Sequence, residues 1–274
     1  MAIRSSIVAL ALAAMIVSSA RAHDETRYPD WSGQWVRTGG IQWDPTKPIG
    51  RGQQAPLTPE YQAIFEASLA DQATGGTGND ARYSCFPVGM PRLMSVIFPM
   101  EIVITSKITY VLFENNMPRR IFTDGRDWPK EPEPTFAGIS IGRWVDSDGD
   151  GRYDTLEVET RHLKGPRTLE GTGLPLHQDN HTVVKERIYL DKANPNLLVD
   201  EITTIDNAFT RPWTITKKYR RDRDAAFLEN DCTEDNHHVS IGKEHYFISA
   251  DGYLMPAKKG QAPPDLRYFN QGRR

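Results

Sequence analysis

The stretch "ISIGRWVDSDGDGRYDTLEVETR", Ile139–Arg161, decides between a helical and a β reading of this chain. Its centre matches the calcium-loop pattern. Asp146, Asp148, Asp150, Asp154 and Glu157 stand at positions 1, 3, 5, 9 and 12, Gly151 stands at 6, and Arg152 offers its carbonyl at 7. A helical calcium hand needs a helix on each side. Here Ile139–Val145 and Thr155–Arg161 are rich in β-branched and aromatic residues and read as strands. Tyr153 stands where helical calcium loops carry an aliphatic residue. The segment is therefore a β-hairpin whose turn has grown into a calcium-loop-like sequence. Five carboxylates in one short loop repel one another, and a hard cation with oxygen ligands relieves that repulsion. Two readings stand: weak calcium binding, with Glu157 as a sixth contributor, or a solvated acidic turn. If Thr155-Leu156-Glu157 is already strand, Glu157 points away from the ion.

Working outward, the same β signal recurs. Short runs appear at Trp35, Met100–Ser106, Ile108–Glu114, Arg119–Gly125, His181–Leu190, Leu197–Ile205 and Pro212–Tyr219. Most are joined by hairpin-length turns. Together they predict a mainly β domain over 23–230, an antiparallel meander closing into a barrel and so removing its edges. One segment is helical, at about 58–74. Thr58 is the N-cap, Pro59 takes the first position, Tyr61, Ile64, Phe65 and Leu69 form a stripe, and Gly75-Gly76 stop it. It is expected to cap the barrel. Residues 231–274 read as a polar C-terminal tail.

The first 22 residues, "MAIRSSIVALALAAMIVSSARA", have Arg4, an apolar run from Ile7 to Val17 and an Ala20-Arg21-Ala22 cleavage site. This is a signal peptide, so the mature chain is expected to be periplasmic or secreted, with no membrane span. In that compartment Cys85 and Cys232, the two cysteines of the chain, are expected to form a disulfide rather than serve as nucleophiles. A formal net charge of −3 argues against a nucleic-acid partner. The short basic run Lys217–Arg223 reads as a solvated strand end.

Two resemblances follow. "DWSGQW", Asp30–Trp35, contains a Gly-x-Trp at the start of a first strand and resembles lipocalin-like barrels. That resemblance implies that Trp35 closes the barrel bottom against a basic residue of the last strand, with Arg211 or Lys217 as candidates. The blocks "LTPEYQA", "CFPVGMPR", "RRIFTDGRDWP", "PTFAGISIGRW", "DTLEVET", "GLPLH", "VKERIYL", "DEITTIDN" and "FTRPWT" cover most of the mature chain. Their order resembles a large family of secreted bacterial proteins with no agreed biochemical activity. The resemblance implies a secreted β-rich protein. Members usually run through a tight acidic turn into Asp-Thr-Leu, and here that turn is expanded.

Three sets of residues are candidates for chemistry. Asp124, Arg126, Trp128 and Arg211 would line a barrel mouth suited to an anionic or aromatic small ligand. Glu186 shares a face with Thr182, Val184, Ile188 and Leu190, and Glu201 with Val199, Thr203 and Ile205. Both are expected inside the barrel, as acid/base groups or as partners of structural ion pairs. His177, Asp179 and His181 fall on one side of an extended segment, as metal ligands or as exposed polar residues. No Gly-rich phosphate loop, Gly-x-Ser-x-Gly elbow, His-Glu-x-x-His or Cys-x-x-Cys occurs, and no organic cofactor is expected. The first functional expectation is a small-molecule-binding barrel with a calcium-stabilised loop. The alternative is a hydrolase, lyase or isomerase using His177 with Glu186 or Glu201.

Overall fold

Nine strands pair in sequence order. They are β1 (Gln34–Arg37), β2 (Met100–Ile104), β3 (Ile108–Phe113), β4 (Asn116–Phe122), β5 (Ile139–Val145), β6 (Thr155–Arg161), β7 (Val183–Leu190), β8 (Leu197–Ile205) and β9 (Trp213–Asp222). β9 returns to β1, with Val36 opposite Arg220, and closes the barrel. This is a computed structural model, and it describes residues 25–39, 55–95, 97–224, 228, 231–232, 237–241 and 244–265. The expected signal peptide lies outside the described residues.

The meander has one departure. β4 and β5 pair in parallel, with Ile121 opposite Ser140 and Phe122 opposite Ile141. The other pairings are antiparallel. A parallel pair needs a connection long enough to return to the starting end. The segment 123–138, with Pro129, Pro132 and Pro134, supplies it. Gly142 sits beside this junction, and a Cβ there would stand 2.8 Å from Cγ2 of Ile121.

Alternation sorts the side chains. Leu198, Asp200, Ile202 and Thr204 of β8 point inward, as do Val184, Glu186 and Ile188 of β7. On β9 the inward set is Trp213, Ile215, Lys217, Tyr219 and Arg221. Fully burying a large apolar side chain contributes roughly 1.5–3 kcal/mol. The interior is thus held mainly by residues such as Trp35, Ile121, Leu156, Val184, Leu198 and Ile202, all at 0% exposure.

One end of the barrel is shut by Trp35. Its ring lies under the Arg221 guanidinium, 4.5 Å from the ring centroid. Arg221 also donates to the carbonyls of Asp30, Ser32 and Pro195. The basic partner of Trp35 is therefore Arg221, not Arg211 or Lys217. Arg211 is exposed in the β8–β9 loop, and Lys217 points into the barrel further along β9. Gly33 takes φ +89° here, and a Cβ would press on the Asp222 carbonyl at 3.2 Å.

The other end is covered by α1 (Pro59–Ala73) and by the β6–β7 and β8–β9 loops, whose Leu169, Leu174 and Phe209 join the core. Oγ1 of Thr58 accepts from the Tyr61 amide, as an N-cap does. Tyr61 and Phe65 are buried, while Ile64 of the expected stripe is 39% exposed. A bridge from Leu57 to Phe209 anchors the helix start on the β8–β9 loop. The tail is more ordered than its composition suggests. β10 (His238–Ile241), β11 (Glu244–Ile248) and β12 (Leu254–Pro256) form a small antiparallel sheet. A Cys85–Cys232 disulfide ties the start of the tail to the segment after α1.

Candidate functional site

The β-barrel interior carries charge. Arg119 of β4 is 1% exposed and forks onto Glu186 of β7. Nη1 donates to Oε1 at 2.8 Å, Nη2 donates to Oε2 and to Thr160, and Nε donates to Ser140. Four of the five guanidinium N–H donors are thereby placed, which offsets much of the cost of burying the pair. Glu186 faces inward, but Arg119 consumes it, so it is not a free acid or base.

Glu201 is a correction. It lies on the outer face of β8, accepts from the Tyr189 hydroxyl at 3.0 Å and stands 3.8 Å from Arg187. The inward carboxyl of this strand is its neighbour Asp200, at 0% exposure. A one-residue shift in parity moves every side chain to the opposite face. Neither Asp200 oxygen accepts a hydrogen bond from a described residue. Burial, with Glu186 and Glu201 nearby, pushes its carboxyl well above the ordinary range, against Arg119 and Lys217.

The network continues to the helix-covered end. Tyr219 donates its hydroxyl to the Met94 carbonyl, and burial, with Asp200 and Glu186 nearby, pushes its phenol up. Beyond it lies a cleft of about 410 Å³ lined by Arg37, Arg82, Arg92, Glu170, Tyr83 and Ile97, among others. Four separate segments supply its charges. Arg37 ends β1, Arg82 and Arg92 lie in 3₁₀ turns at Ala81–Ser84 and Arg92–Ser95, and Glu170 lies in the turn closed by Thr168 and Pro175. Arg92 is bidentate to Asp80, at 2.7 and 2.9 Å. Arg37 donates to the Ser95 carbonyl at 2.8 Å. Among the described residues, neither Arg37 nor Arg82 has a carboxylate within 4.0 Å.

Both signs of charge are strained by burial in this cleft. Burial pulls the Arg37 and Arg82 guanidinium groups down, and Arg92 adds repulsion at Arg82. Burial pushes Glu170 up to about 7, although Thr172 donates its amide to the carboxylate and Arg92 and Lys217 stand nearby. Cations outnumber anions: with Arg92 and Asp80 paired, Arg37 and Arg82 line the cleft against Glu170, and Lys217 stands behind it. Nothing in "RTLEGTGLP" signals a buried glutamate, and Arg37, Arg82 and Arg92 are remote in sequence, so sequence reasoning missed this cleft.

The expected mouth does not assemble. Arg126 is bidentate to Asp124 at 2.8 and 2.7 Å, and that hydrogen bond pulls the Asp124 carboxyl down to about 2. Arg126 lies over Phe122, and Trp128 lies under Arg161 instead. Arg211 donates to the Pro212 carbonyl.

His177 lies in the loop before β7, stacked on Tyr61 with ring centroids 5.2 Å apart. Its Nδ1 accepts the Asp179 amide at 3.1 Å. No hydrogen bond or ion pair joins it to Glu186 or Glu201 among the described residues. Asp179 stands near both histidines, but the His181 side chain is 80% exposed. The three do not bring their ligand atoms together, since the one described group that does is Asp146, Asp148 and Asp150.

Those three aspartates hold ligand atoms within 4.8 Å of one another in the β5–β6 turn. Asp146 accepts the amides of Gly149, Asp150 and Gly151. Asp150 accepts the amide of Arg152. Asp154 instead accepts the Ser147 amide and hydroxyl. Glu157 departs from the expectation: it pairs across the hairpin with Arg143, at 2.6 Å, and stands outside the group of converging ligand atoms. The strand begins at Thr155, so Glu157 follows the outward face of the ladder.

The chain was compared with family models, curated proteins and solved structures, and it matches none of them.

Proposed function

We propose that this protein is an exported β-barrel that binds a small organic anion in the Arg37–Arg82–Glu170 cleft. One observation carries the reading: two half-buried guanidinium groups, Arg37 and Arg82, which have no carboxylate partner among the described residues, line a cleft of about 410 Å³. Desolvated cations without counter-ions are costly, and a bound anion offsets that cost. Guanidinium forks suit planar or tetrahedral oxyanions. The cleft, rather than the Arg126 loop, supplies the anion site expected of a ligand-binding barrel. The lack of a long apolar helix among the described residues and the disulfide are consistent with export. The test is calorimetric titration with citrate, sulfate and benzoate. At least one should bind, and Arg82→Gln should weaken that binding tenfold or more. Equal affinity in wild type and variant would overturn the reading.

We further infer that the β5–β6 turn takes calcium weakly through Asp146, Asp148 and Asp150. The convergence of their ligand atoms supports this. With Asp154 and Glu157 engaged elsewhere, the protein offers few ligands, so the affinity falls at or below the weak extracellular range, Kd on the order of 10⁻³ M.

A further inference from the structure

We propose that the anion of this cleft is a monocarboxylate with an apolar, ring-sized body, its carboxylate between Arg37 and Arg82 and its body on Tyr83 and Ile97. The inference rests on the anion-binding reading above and names the ligand class. Three features of the cleft select that class.

The first is charge. Asp80 neutralises Arg92 through two hydrogen bonds, so among the lining residues two cations remain against Glu170, with Lys217 behind it. That excess of positive charge selects an anion over a neutral ligand whether Glu170 is ionised or protonated. The second is geometry. Planar guanidinium groups pair with a carboxylate through two parallel N–H···O bonds. The third is the rim. Ile97 is 60% exposed and Tyr83 39%, large apolar side chains bordering a polar pocket. An inorganic ion leaves that surface bare, whereas an apolar body covers it. The volume fits a ligand at the small end of the usual range.

Glu170 makes the binding proton-linked. The groups facing it are Arg37, Arg92, Lys217 and Asp80, and Thr172 donates its amide and hydroxyl. An incoming carboxylate adds one more negative neighbour, so binding favours the protonated Glu170, which then gives a hydrogen-bond donor to the ligand. Affinity should therefore fall as pH rises above about 7, by up to tenfold per pH unit, while the ligand itself stays ionised.

The experiment is calorimetric titration of the mature protein with phenylacetate, phenyl phosphate, 2-phenylethanol and acetate between pH 6 and 9. Phenylacetate should bind at least tenfold tighter than the other three. Arg82→Gln should abolish its binding, and Arg143→Gln on the outer face should leave it unchanged. Glu170→Gln should remove the pH dependence, with circular dichroism confirming that the variant is folded. If phenyl phosphate binds as tightly as phenylacetate and still needs Arg82, the carboxylate assignment is overturned while the anion cleft stands. If phenylethanol matches phenylacetate, the site is apolar and the charge argument is overturned. If no anion binds in an Arg82-dependent way, both readings are overturned.

Discussion

The Arg119 guanidinium and the Glu186 carboxylate face each other inside the barrel through two hydrogen bonds, with both side chains out of solvent. Arg119 leaves β4 and Glu186 leaves β7, so the pair spans the interior across β5 and β6, where Ser140 and Thr160 complete its hydrogen bonds. Removing one partner leaves an uncompensated buried charge. Glu186→Ala or Arg119→Ala should cost about 3–5 kcal/mol in urea denaturation, and Arg119→Met with Glu186→Leu should recover most of the loss. A single variant as stable as wild type would show that the pair does not hold the interior.

Glu170 gives a pH dependence with a definite sign. Its carboxyl is pushed up to about 7 from an ordinary 4.5, so between these values the unfolded chain ionises while the folded protein keeps the proton. Its contribution to stability is complete below about pH 4.5 and falls by about 3 kcal/mol as pH rises through 7. Glu170→Gln should remove this component and raise the melting temperature at pH 8 relative to wild type. No difference between the two pH profiles would place Glu170 in solvent.

Calcium should act locally. At ten times the dissociation constant it should stabilise the fold by about 1.4 kcal/mol. Asp148→Ala with Asp150→Ala should abolish the calcium-dependent rise in melting temperature. Glu157→Gln should leave that rise intact, because Glu157 pairs with Arg143. A melting temperature of the wild type that millimolar calcium does not move would leave only an acidic turn.

Arg221 clamps the closed end through Trp35 and three carbonyls. Lysine has neither the fork nor the planar face. Arg221→Lys should therefore cost about 2–3 kcal/mol, near the upper range for hydrogen bonds to a charged group. Trp35 fluorescence should show greater solvent exposure. Unchanged stability and emission would mean that Trp35 packing alone closes the barrel.

The Cys85–Cys232 bond closes a separation of 147 residues. Removing it through Cys85→Ser with Cys232→Ser should cost about 2–5 kcal/mol by releasing unfolded-chain entropy. Peptide mapping without reductant should find the two cysteines linked. Two free thiols in freshly purified protein would contradict the pairing.

Local signals in the sequence were enough for the strand pattern, the hairpin around Asp146–Asp154, the helix beginning at Pro59 and the pairing of the two cysteines. Each depends on alternation, capping or compartment, which act over a few residues or on the whole chain at once. The inward placement of Glu186 was legible for the same reason, since its face neighbours Val184 and Ile188 are apolar. Its partner was not, because Arg119 sits four strands away around the barrel counting both ends, and only the closed sheet brings the two together. Parity failed on β8, where both faces hold a mixture of apolar and acidic residues, and only pairing with β7 and β9 put Asp200 inside and Glu201 outside. The cleft of Arg37, Arg82, Arg92 and Glu170 depends on tertiary structure throughout. Charge interactions follow distance in space and burial, and these four residues share neither sequence neighbourhood nor periodicity until the barrel closes and α1 covers its end.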